Sequence, residues 1–556
     1  MAATDTPKLM TGSHISSLSA LRTSHDSFAS RIVLEMRPMS IRLQVDPLGQ
    51  NGRVSIIVET GSGQVEGRGA ESGREAMTFF GIPFAAPPVG PRRFAEPVPH
   101  PGWTGVRDCT RPGPRAPQNP GAMEKMAGMG SVRWSEDCLG LNVTTPSAEG
   151  NHRPVMVWIH GGGFTTGTGS IPWYDGSRFA SRDVVTVTVN YRLGPFGFLH
   201  LGEHLDDRPG SGLAGILDQI RALEWVRDNI AAFGGDPGNV TVFGESAGAM
   251  SVGSLLGMPE ARGLFRRAIL QSGAADHTTS PDAAAAVTDR FLKLAGVGRA
   301  DELLTLAPER LLATHDELAA SIGGDSPHPA VSAGMPLLPV RDGSHLPSDP
   351  LSGIADGTAE GVDVIVGTNL DEWNLFALGS PGGLTEERLR RRFVRDGTFD
   401  PDDALHAYRS VLPDASPDEV WAAVMTDKVF RDPARRLLEA LSARDHGSTR
   451  SYLFSWRSSA LGGMLGSCHA LEIPFVFGTL DRPGVDVFTG PTGETAEKLS
   501  ETMTDSWARF AHGESPGPGA WDPYDTVSRA TMRFDETSGM ESDPLAVLRS
   551  LWSGSP

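Results

Sequence analysis

The sequence of 556 residues predicts an α/β fold with a large, mainly parallel central sheet flanked by helices. Short apolar runs typical of buried strands recur along the chain, and segments with helical spacing stand between them. Strands that alternate with helices indicate a parallel sheet covered on both faces. With 39 % hydrophobic and 21 % charged residues, the chain has the composition of a globular protein.

The amino-terminal segment, residues 1–53, is predicted to be a disordered leader because it is rich in Ser, Thr, Arg and Met. An overextended start, with Met36 or Met39 as the first residue, is the alternative. The segment has no apolar core of the kind that follows the basic start of a secretory signal. We therefore expect a cytoplasmic protein, and a secreted form stays open.

One domain is predicted over residues 54–556, since no long Gly/Ser linker divides the chain. Residues 55–60 predict a strand that ends at a glycine turn. Residues 154–160 and 184–189 are short apolar runs that predict buried strands. Residues 218–233 carry apolar side chains at intervals of three and four, which predicts a helix.

Two helical insertions, or cap segments, are expected in this domain, around residues 274–339 and 380–465. The first of them is Ala-rich and mostly of helical character. The scarcity of Lys beside Arg, with many Ala, Gly and Pro residues, is typical of a GC-rich bacterial genome.

The net charge of −19 argues against nucleic-acid binding, because such a chain repels phosphate backbones. No stretch approaches about 20 continuous apolar residues, so no membrane span is expected. No cluster of Cys and His has zinc spacing, and neither a metal nor a cofactor is expected. Nothing in the sequence decides between a monomer and a homo-oligomer.

The three cysteines allow one disulfide at most. Cys109 and Cys138 are the candidate partners, which leaves Cys468 unpaired. Two reduced, buried thiols are the alternative in a cytosolic protein.

Residues 244–248 (GESAG) match the pattern G-x-S-x-G, and Ser246 is its candidate nucleophile. Residues 240–243 predict a strand before this turn, and residues 247–256 predict a helix after it. Glycines on both sides leave room for a sharp turn that exposes the serine hydroxyl in a strained conformation. The helix directs its positive end at the serine.

A second glycine-rich segment, residues 160–164 (HGGGF), directly follows the predicted strand 154–160. Three successive glycines let the backbone turn its N–H groups toward one point. Such donors stabilise the negative oxygen of a tetrahedral intermediate, and losing one costs roughly 100- to 1000-fold in rate. The N–H of Ala247, the residue after the serine, is a further donor.

With these motifs the sequence resembles the type B carboxylesterase family of the α/β-hydrolases, from about Ile57 to Trp552. The family includes bacterial para-nitrobenzyl esterases, mammalian carboxylesterases and cholinesterases. Several further blocks carry the resemblance in the expected order: residues 80–84 (FGIPF), 136–142 (EDCLGLN), 190–194 (NYRLG) and 233–237 (FGGDP). The resemblance implies the α/β-hydrolase fold.

The resemblance also implies a catalytic triad in the chain order Ser, acid, His. The acid of the family lies in a G-x-N-x-D-E segment, which residues 367–372 match, so Glu372 is the expected acid and Asp371 its rival. The family histidine lies in a G-x-x-H-x-x-E-x-P-F-V-F-G segment. Residues 466–478 match it and make His469 the expected base.

Other positions take expected roles from the same resemblance. Gly162, Gly163 and Ala247 are the expected oxyanion donors. Ser272 is expected to orient Glu372. Glu245 and Phe164 are expected at the substrate pocket, and Arg192 with Asp218 is expected to form a buried structural ion pair. Cys468, next to His469, departs from the family pattern and is expected to be either a small buried residue or a thiol at the wall of the gorge.

The expected function is hydrolysis of small to medium, fairly apolar esters through an acyl-enzyme, with a small-molecule ester as the partner. Met123, Met126 and Met129 lie where the family forms a rim of its gorge, and they predict either an apolar wall or a helical turn packed on the core. A lipase, an amidase or carbamate hydrolase on the same triad, and a non-catalytic esterase-like binding protein are the alternatives.

Overall fold

The structure, a computed structural model, describes residues 42–45, 54–69, 76–121, 133–150, 152–322, 335–379, 382–396, 399–444 and 447–553. Most of the predicted leader lies outside these residues, and so do Met123, Met126 and Met129. Within the predicted leader, Arg42–Val45 is a strand that pairs antiparallel with the strand after it.

A 14-stranded sheet forms the centre of the described part of the molecule. Its strands are β1 (Arg42–Val45), β2 (Val54–Thr60), β3 (Gly63–Arg68), β4 (Met77–Pro83), β5 (Val106–Asp108), β6 (Gly140–Thr145), β7 (Arg153–Ile159), β8 (Val185–Val189), β9 (Gly235–Glu245), β10 (Arg267–Gln271), β11 (Asp363–Asn369), β12 (Thr449–Phe454), β13 (Ala530–Phe534) and β14 (Gly539–Ser542).

The strand order is β1-β2-β3-β4-β6-β8-β7-β9-β10-β11-β12-β13-β14, with β5 beside β3. Neighbours from β8 to β13 are parallel. The strands from β1 to β8 along the main path, and the β13–β14 pair, are antiparallel. The predicted α/β fold is confirmed, and the parallel order holds for the centre of a mixed sheet.

Helices cover both faces of this sheet. They are α1 (Ser177–Ala180), α2 (Gly194–Phe198), α3 (Ala214–Asn229), α4 (Ala247–Gly257), α5 (Pro281–Ala295), α6 (Pro308–Ile322), α7 (Pro350–Ala355), α8 (Asn374–Ala377), α9 (Glu386–Asp396), α10 (Pro401–Val411), α11 (Pro417–Thr426), α12 (Asp432–Ser442), α13 (Ile473–Phe477), α14 (Asp486–Thr489), α15 (Glu494–His512) and α16 (Ala546–Ser553). A π-helical turn, Asp427–Arg431, joins α11 to α12.

Strand β7 shows why the central strands are apolar along their whole length. Its side chains alternate between two hydrophobic cores, with Val155, Val157 and Ile159 in one and Met156 and Trp158 in the other. A parallel strand with helices on both faces has no polar side, so a continuous apolar run identifies it. The predicted strands at residues 154–160 and 184–189 are confirmed as β7 and β8.

The expected ion pair between Arg192 and Asp218 is confirmed and buried. Arg192 Nη2 lies 2.7 Å from Asp218 Oδ1, and Nε lies 2.8 Å from Oδ2. Arg192 Nη1 also donates to the carbonyl of Ala95 at 2.6 Å. The pair therefore joins the segment after β8 to α3 and to the loop after β4.

The cysteines do not form the disulfide that was one of the two expectations. Cys109, Cys138 and Cys468 are all free and buried. Burial raises the pKa of the Cys109 thiol to about 12 and raises the pKa of Cys138 as well. Disulfide exchange needs the thiolate, and burial suppresses that form at both positions.

Helices occupy both stretches in which insertions were expected, α5 and α6 in the first and α9 to α12 in the second. The division into a leader and one domain stays a prediction. Within the described ranges, no helix is long and apolar enough to cross a membrane.

Candidate active site

The serine turn joins β9 to α4 at the centre of the sheet. Ser246 has φ 54° and ψ −125°, a conformation that L residues rarely adopt. A Cβ at Gly244 would lie 2.8 Å from the carbonyl oxygen of Ile159, and one at Gly248 would lie 2.0 Å from the same oxygen. Only glycine fits at either position, which explains both glycines of the motif.

His469 and Glu372 come together beside this turn. The carboxylate oxygen Oε2 of Glu372 lies 2.7 Å from His469 Nδ1, and both side chains are buried. Oε1 of Glu372 accepts from the backbone N–H of Asn369 at 2.7 Å. The carboxylate is thereby held in place and selects the tautomer with the proton on Nδ1.

Asp371, the rival acid, does not face the imidazole. Its Oδ2 accepts from the backbone N–H of Ser467 at 2.9 Å and lies 3.3 Å from Arg457 Nη2. The geometry therefore favours Glu372 as the partner of His469.

The other ring nitrogen of His469 faces Glu245. Nε2 lies 3.0 Å from Glu245 Oε1, and Glu245 is nearly fully buried. Within the described residues the Ser246 hydroxyl makes no hydrogen bond with His469. A Cβ at Gly161 would lie 2.7 Å from Glu245 Oε2 and 3.0 Å from Ser246 Cβ. The Glu245 carboxylate therefore packs directly against the glycine-rich loop.

The two groups influence each other's proton affinity. Burial raises the pKa of Glu245 to about 8, although His469 opposes the shift. Burial by itself lowers the pKa of His469, but the carboxylates of Glu245 and Glu372 outweigh it and raise that pKa to about 9. Opposite charges in contact favour the charged form of each group, so the pair retains a proton into the alkaline range.

The glycine-rich loop supplies backbone N–H groups near the serine. Gly162 has φ 112° and Gly163 has φ 61°, and a Cβ at Gly162 would lie 2.2 Å from the Thr166 carbonyl oxygen. In the described part of the chain, the N–H groups of Gly162 and Gly163 make no hydrogen bond. Ala247 begins α4, and the first N–H of a helix has no intrahelical acceptor. These three N–H groups can serve an anionic oxygen.

Three apolar side chains form walls beside these groups. The rings of Phe376 and Phe430 lie 5.1 Å and 4.7 Å from the His469 ring, centroid to centroid. A Cβ at Gly163 would lie 3.4 Å from Cγ of Met335. The sequence pattern did not single out these residues.

Two of the predicted pocket residues lie in the core instead. Phe164 is fully buried and packs its ring against Phe198, with the centroids 4.9 Å apart. Cys468 is fully buried in the second hydrophobic core, and burial raises its pKa. Each follows or precedes a site residue in sequence, but its side chain turns away from the pocket.

Ser272 does not take its expected role either. Its Oγ is buried and makes no hydrogen bond with the described residues. The backbone N–H of Asn369 orients Glu372 in its place.

A third buried carboxylate, Glu472, lies behind the imidazole. It accepts from Gln271 Nε2 at 3.2 Å and from Asn369 Nδ2 at 2.6 Å. Burial and the nearby Glu372 raise its pKa. The E of the histidine motif marked this residue, and its two amide partners show that it braces the strand ends on which the site is built.

The loop that carries Glu372 is connected to the carboxyl-terminal helix α16 by a series of hydrogen bonds. Arg431 Nη2 donates to the Leu370 carbonyl at 2.7 Å, and Arg431 pairs with Asp427. Tyr408 donates to Asp427 Oδ2 at 2.6 Å and accepts from Trp552 Nε1 at 2.9 Å. We refer to this series as the Trp552 chain.

No group of His, Cys, Asp and Glu within the described residues could hold a metal ion. The residues offer a serine hydroxyl, an imidazole paired with a carboxylate, and backbone N–H donors in one place. This arrangement can transfer an acyl group.

The sheet order and the strand–turn–helix at Ser246 define the α/β-hydrolase fold. Solved structures of high similarity share it. A Geobacillus stearothermophilus carboxylesterase, EST55, has a TM-score of 0.78 and 40% identity, covering 89% of this chain and 99% of that one. A PNB esterase structure has a TM-score of 0.76 and 38% identity with the same coverage.

The model of the carboxylesterase family matches residues 54–547, and the chain belongs to this family. Para-nitrobenzyl esterase from Bacillus subtilis (strain 168) is 38% identical over 503 residues, 88% of this chain and 96% of that protein. Phenmedipham hydrolase from Pseudarthrobacter oxydans is 35% identical over 453 residues, 79% and 86% of the two chains. The protein is a carboxylesterase.

Proposed function

We propose that this carboxylesterase cleaves small to medium, fairly apolar esters through an acyl-enzyme on Ser246. His469 is the base and Glu372 its carboxylate partner. The observation that carries the proposal is the 2.7 Å contact between His469 Nδ1 and Glu372 Oε2, beside a serine held at φ 54°.

In the first half of the reaction, His469 Nε2 takes the proton of Ser246 while Oγ attacks the ester carbonyl carbon. The carbonyl oxygen becomes an oxyanion. Collapse of the intermediate breaks the carbon–oxygen bond of the ester, and His469 donates its proton to the departing alcohol. In the second half, His469 takes a proton from water, which attacks the acyl carbon; the bond from that carbon to Ser246 Oγ then breaks, and His469 returns the proton to Oγ as the acid leaves.

The carboxylate of Glu372 keeps the imidazole proton on Nδ1, so that Nε2 is available as a base. It also stabilises the imidazolium that forms in both halves. The N–H groups of Gly162, Gly163 and Ala247 donate to the oxyanion. Among the described residues, none of these three groups has another hydrogen-bond acceptor.

Nε2 has to leave Glu245 for Ser246 during this cycle. Catalytic hydrogen bonds are often misaligned without substrate and tighten in the complex. We assign Glu245 as a positioning residue that sets the charge of His469 through its 3.0 Å contact with Nε2.

The apolar walls support the proposed substrate class. Phe376 remains 41% exposed although its ring contacts His469, so an ester bound at Ser246 covers this ring. Met335 lies beside the glycine loop and presents a flexible side chain that fits acyl or alcohol groups of varied shape. Two relatives, para-nitrobenzyl esterase and phenmedipham hydrolase, are named for aromatic compounds, which agrees with such walls.

The test compares p-nitrophenyl butyrate hydrolysis by the wild type and by Ser246→Ala. We expect the variant to fold, as seen by circular dichroism, and to lose at least about 10³-fold in kcat/KM. Ser254→Ala is the matched control, because Ser254 is a buried serine two turns further along α4 whose hydroxyl bonds to the Met250 carbonyl. Equal activity in Ser246→Ala and the wild type would refute the mechanism.

A further inference from the structure

A second cavity lies away from the catalytic groups, between the sheet and two helices. Strands β11 to β13 form its floor, and α12 and α16 enclose it. Its apolar lining includes Val366, Leu438, Leu453 and Leu548. The residues that line it do not include Ser246, Glu372 or His469. We call it the Arg549 cavity.

The rim of the Arg549 cavity is rich in guanidinium groups, although the whole chain carries a net charge of −19. Four arginines and three aspartates line it: Arg431, Arg435, Arg529, Arg549, Asp427, Asp432 and Asp543. Asp427, Asp432 and Asp543 each pair with one of these arginines. Arg529 and Arg435 also bond to Glu439, which lies outside the lining.

The guanidinium group of Arg549 has N–H donors that no described residue accepts from. Its Nε contacts both oxygens of Asp543, at 2.8 Å and 3.1 Å. Its two Nη atoms make no hydrogen bond with the described residues. The outer fork of a guanidinium matches the two oxygens of one carboxylate. Because Asp543 occupies only the inner nitrogen, the fork remains free for a ligand.

The size of the cavity limits the ligand. Its accessible volume is about 90 Å³. One water-sized group needs roughly 10–15 Å³ on this measure, so the cavity admits about six to nine non-hydrogen atoms. Short aliphatic and small aromatic acids fall in this range.

We propose that the Arg549 cavity binds a short amphipathic carboxylate, with its two oxygens on the Arg549 fork and its apolar part against Leu438, Leu453 and Leu548. The apolar part is buried among these leucines of the floor and the two helices, and this burial provides most of the binding free energy. The charge-assisted pair with Arg549 provides the preference for an acid over a neutral molecule.

Hexanoate is the probe, and hexanamide is its neutral control, with about eight non-hydrogen atoms each. Binding is measured by saturation-transfer difference NMR on enzyme treated with phenylmethylsulfonyl fluoride, which closes the catalytic serine. We expect hexanoate to bind at least about tenfold more tightly than hexanamide. In Arg549→Gln we expect hexanoate to lose that advantage. Arg299→Gln is the matched control, because Arg299 is an exposed arginine that also pairs with a nearby aspartate, Asp301.

Three outcomes overturn the proposal. Equal affinity for hexanoate and hexanamide would show that the site does not recognise a carboxylate. Unchanged hexanoate binding in Arg549→Gln would show that hexanoate does not bind in the Arg549 cavity. Hexanoate that binds only to the untreated enzyme would lie at the catalytic serine. Failure of the reagent to inactivate the enzyme concerns the proposed nucleophile alone, since the Arg549→Gln and hexanamide comparisons still decide about the cavity.

Discussion

His469 is placed between two carboxylates, one on each ring nitrogen. Glu372 lies 2.7 Å from Nδ1 and Glu245 lies 3.0 Å from Nε2. On the proposed mechanism the first contact orients His469, whereas the second competes with Ser246 for the ring nitrogen Nε2. On the proposed mechanism, the proton affinity of His469 sets the pH range in which the enzyme works.

We expect Glu245→Gln to move the acidic limb of the kcat/KM profile to lower pH, by about one unit or more. The Glu245 carboxylate raises the pKa of His469 because it stabilises the imidazolium. Only neutral His469 can accept the serine proton, so a lower pKa makes the base available at lower pH. The measurement is the pH dependence of p-nitrophenyl butyrate hydrolysis. Glu494→Gln, which removes an exposed carboxylate, serves as the control. An unmoved limb in Glu245→Gln would contradict the positioning role.

We expect Phe376→Ala to lower kcat/KM for p-nitrophenyl butyrate by about 3- to 30-fold. The variant loses apolar area that the substrate covers, at roughly 25 cal/mol per Å². Methyl acetate is too small to cover the ring and should change less. Val527→Ala, at a side chain that is 92% exposed, is the control. A uniform loss for both esters would show that Phe376 acts on His469 and not on the substrate.

At the scale of elements, the site depends on the junction of β9 and α4. The local pattern was sufficient here, because the strand, the glycines and the helix are all encoded within residues 235–257. The side chains that meet across the fold were not predictable in the same way. Phe376 and Phe430 reach His469 from separate helical segments, and adjacency in sequence placed Phe164 and Cys468 at the pocket although they face the core.

We expect Gly248→Ala to lower the free energy of unfolding by about 1–3 kcal/mol or more, because its Cβ meets the backbone of Ile159 at 2.0 Å. The strand cannot move away without disturbing the sheet. Urea unfolding measures the loss, and activity per folded molecule should fall with it. Gly519→Ala, with nothing within 4 Å of the added Cβ, should be nearly neutral. Equal unfolding midpoints for the two variants would contradict this account of the motif.

On the scale of the whole molecule, the sequence was sufficient to predict the fold class and the central strands. Periodicity indicates which residues are buried, and buried parallel strands show this most clearly. The antiparallel flanks and the fourteen-strand extent depend on pairings between distant segments. From the sequence, the proposed acid Glu372 and the proposed base His469 follow from the resemblance alone, since neither has a local pattern as distinctive as the serine turn.

We expect Asp218→Ala to destabilise the protein by about 3–5 kcal/mol, because it leaves Arg192 buried without its counter-charge. The pair links β8, α3 and the loop after β4, so the loss should appear in global unfolding. Thermal or urea unfolding measures it. Asp228→Ala, an exposed aspartate on the same helix, should cost no more than about 1 kcal/mol. Similar losses of unfolding free energy in both variants would show that the buried pair stabilises the protein no more than an exposed pair does.

The Trp552 chain has a practical consequence for handling the enzyme. Its hydrogen bonds run from α16 through Tyr408, Asp427 and Arg431 to the loop that carries Glu372. An affinity tag, a fluorescent label or a resin linkage that displaces α16 therefore disturbs the position of that loop, although the attachment point itself is far from any bound ester. Anchoring through the exposed face of α15 leaves this connection untouched.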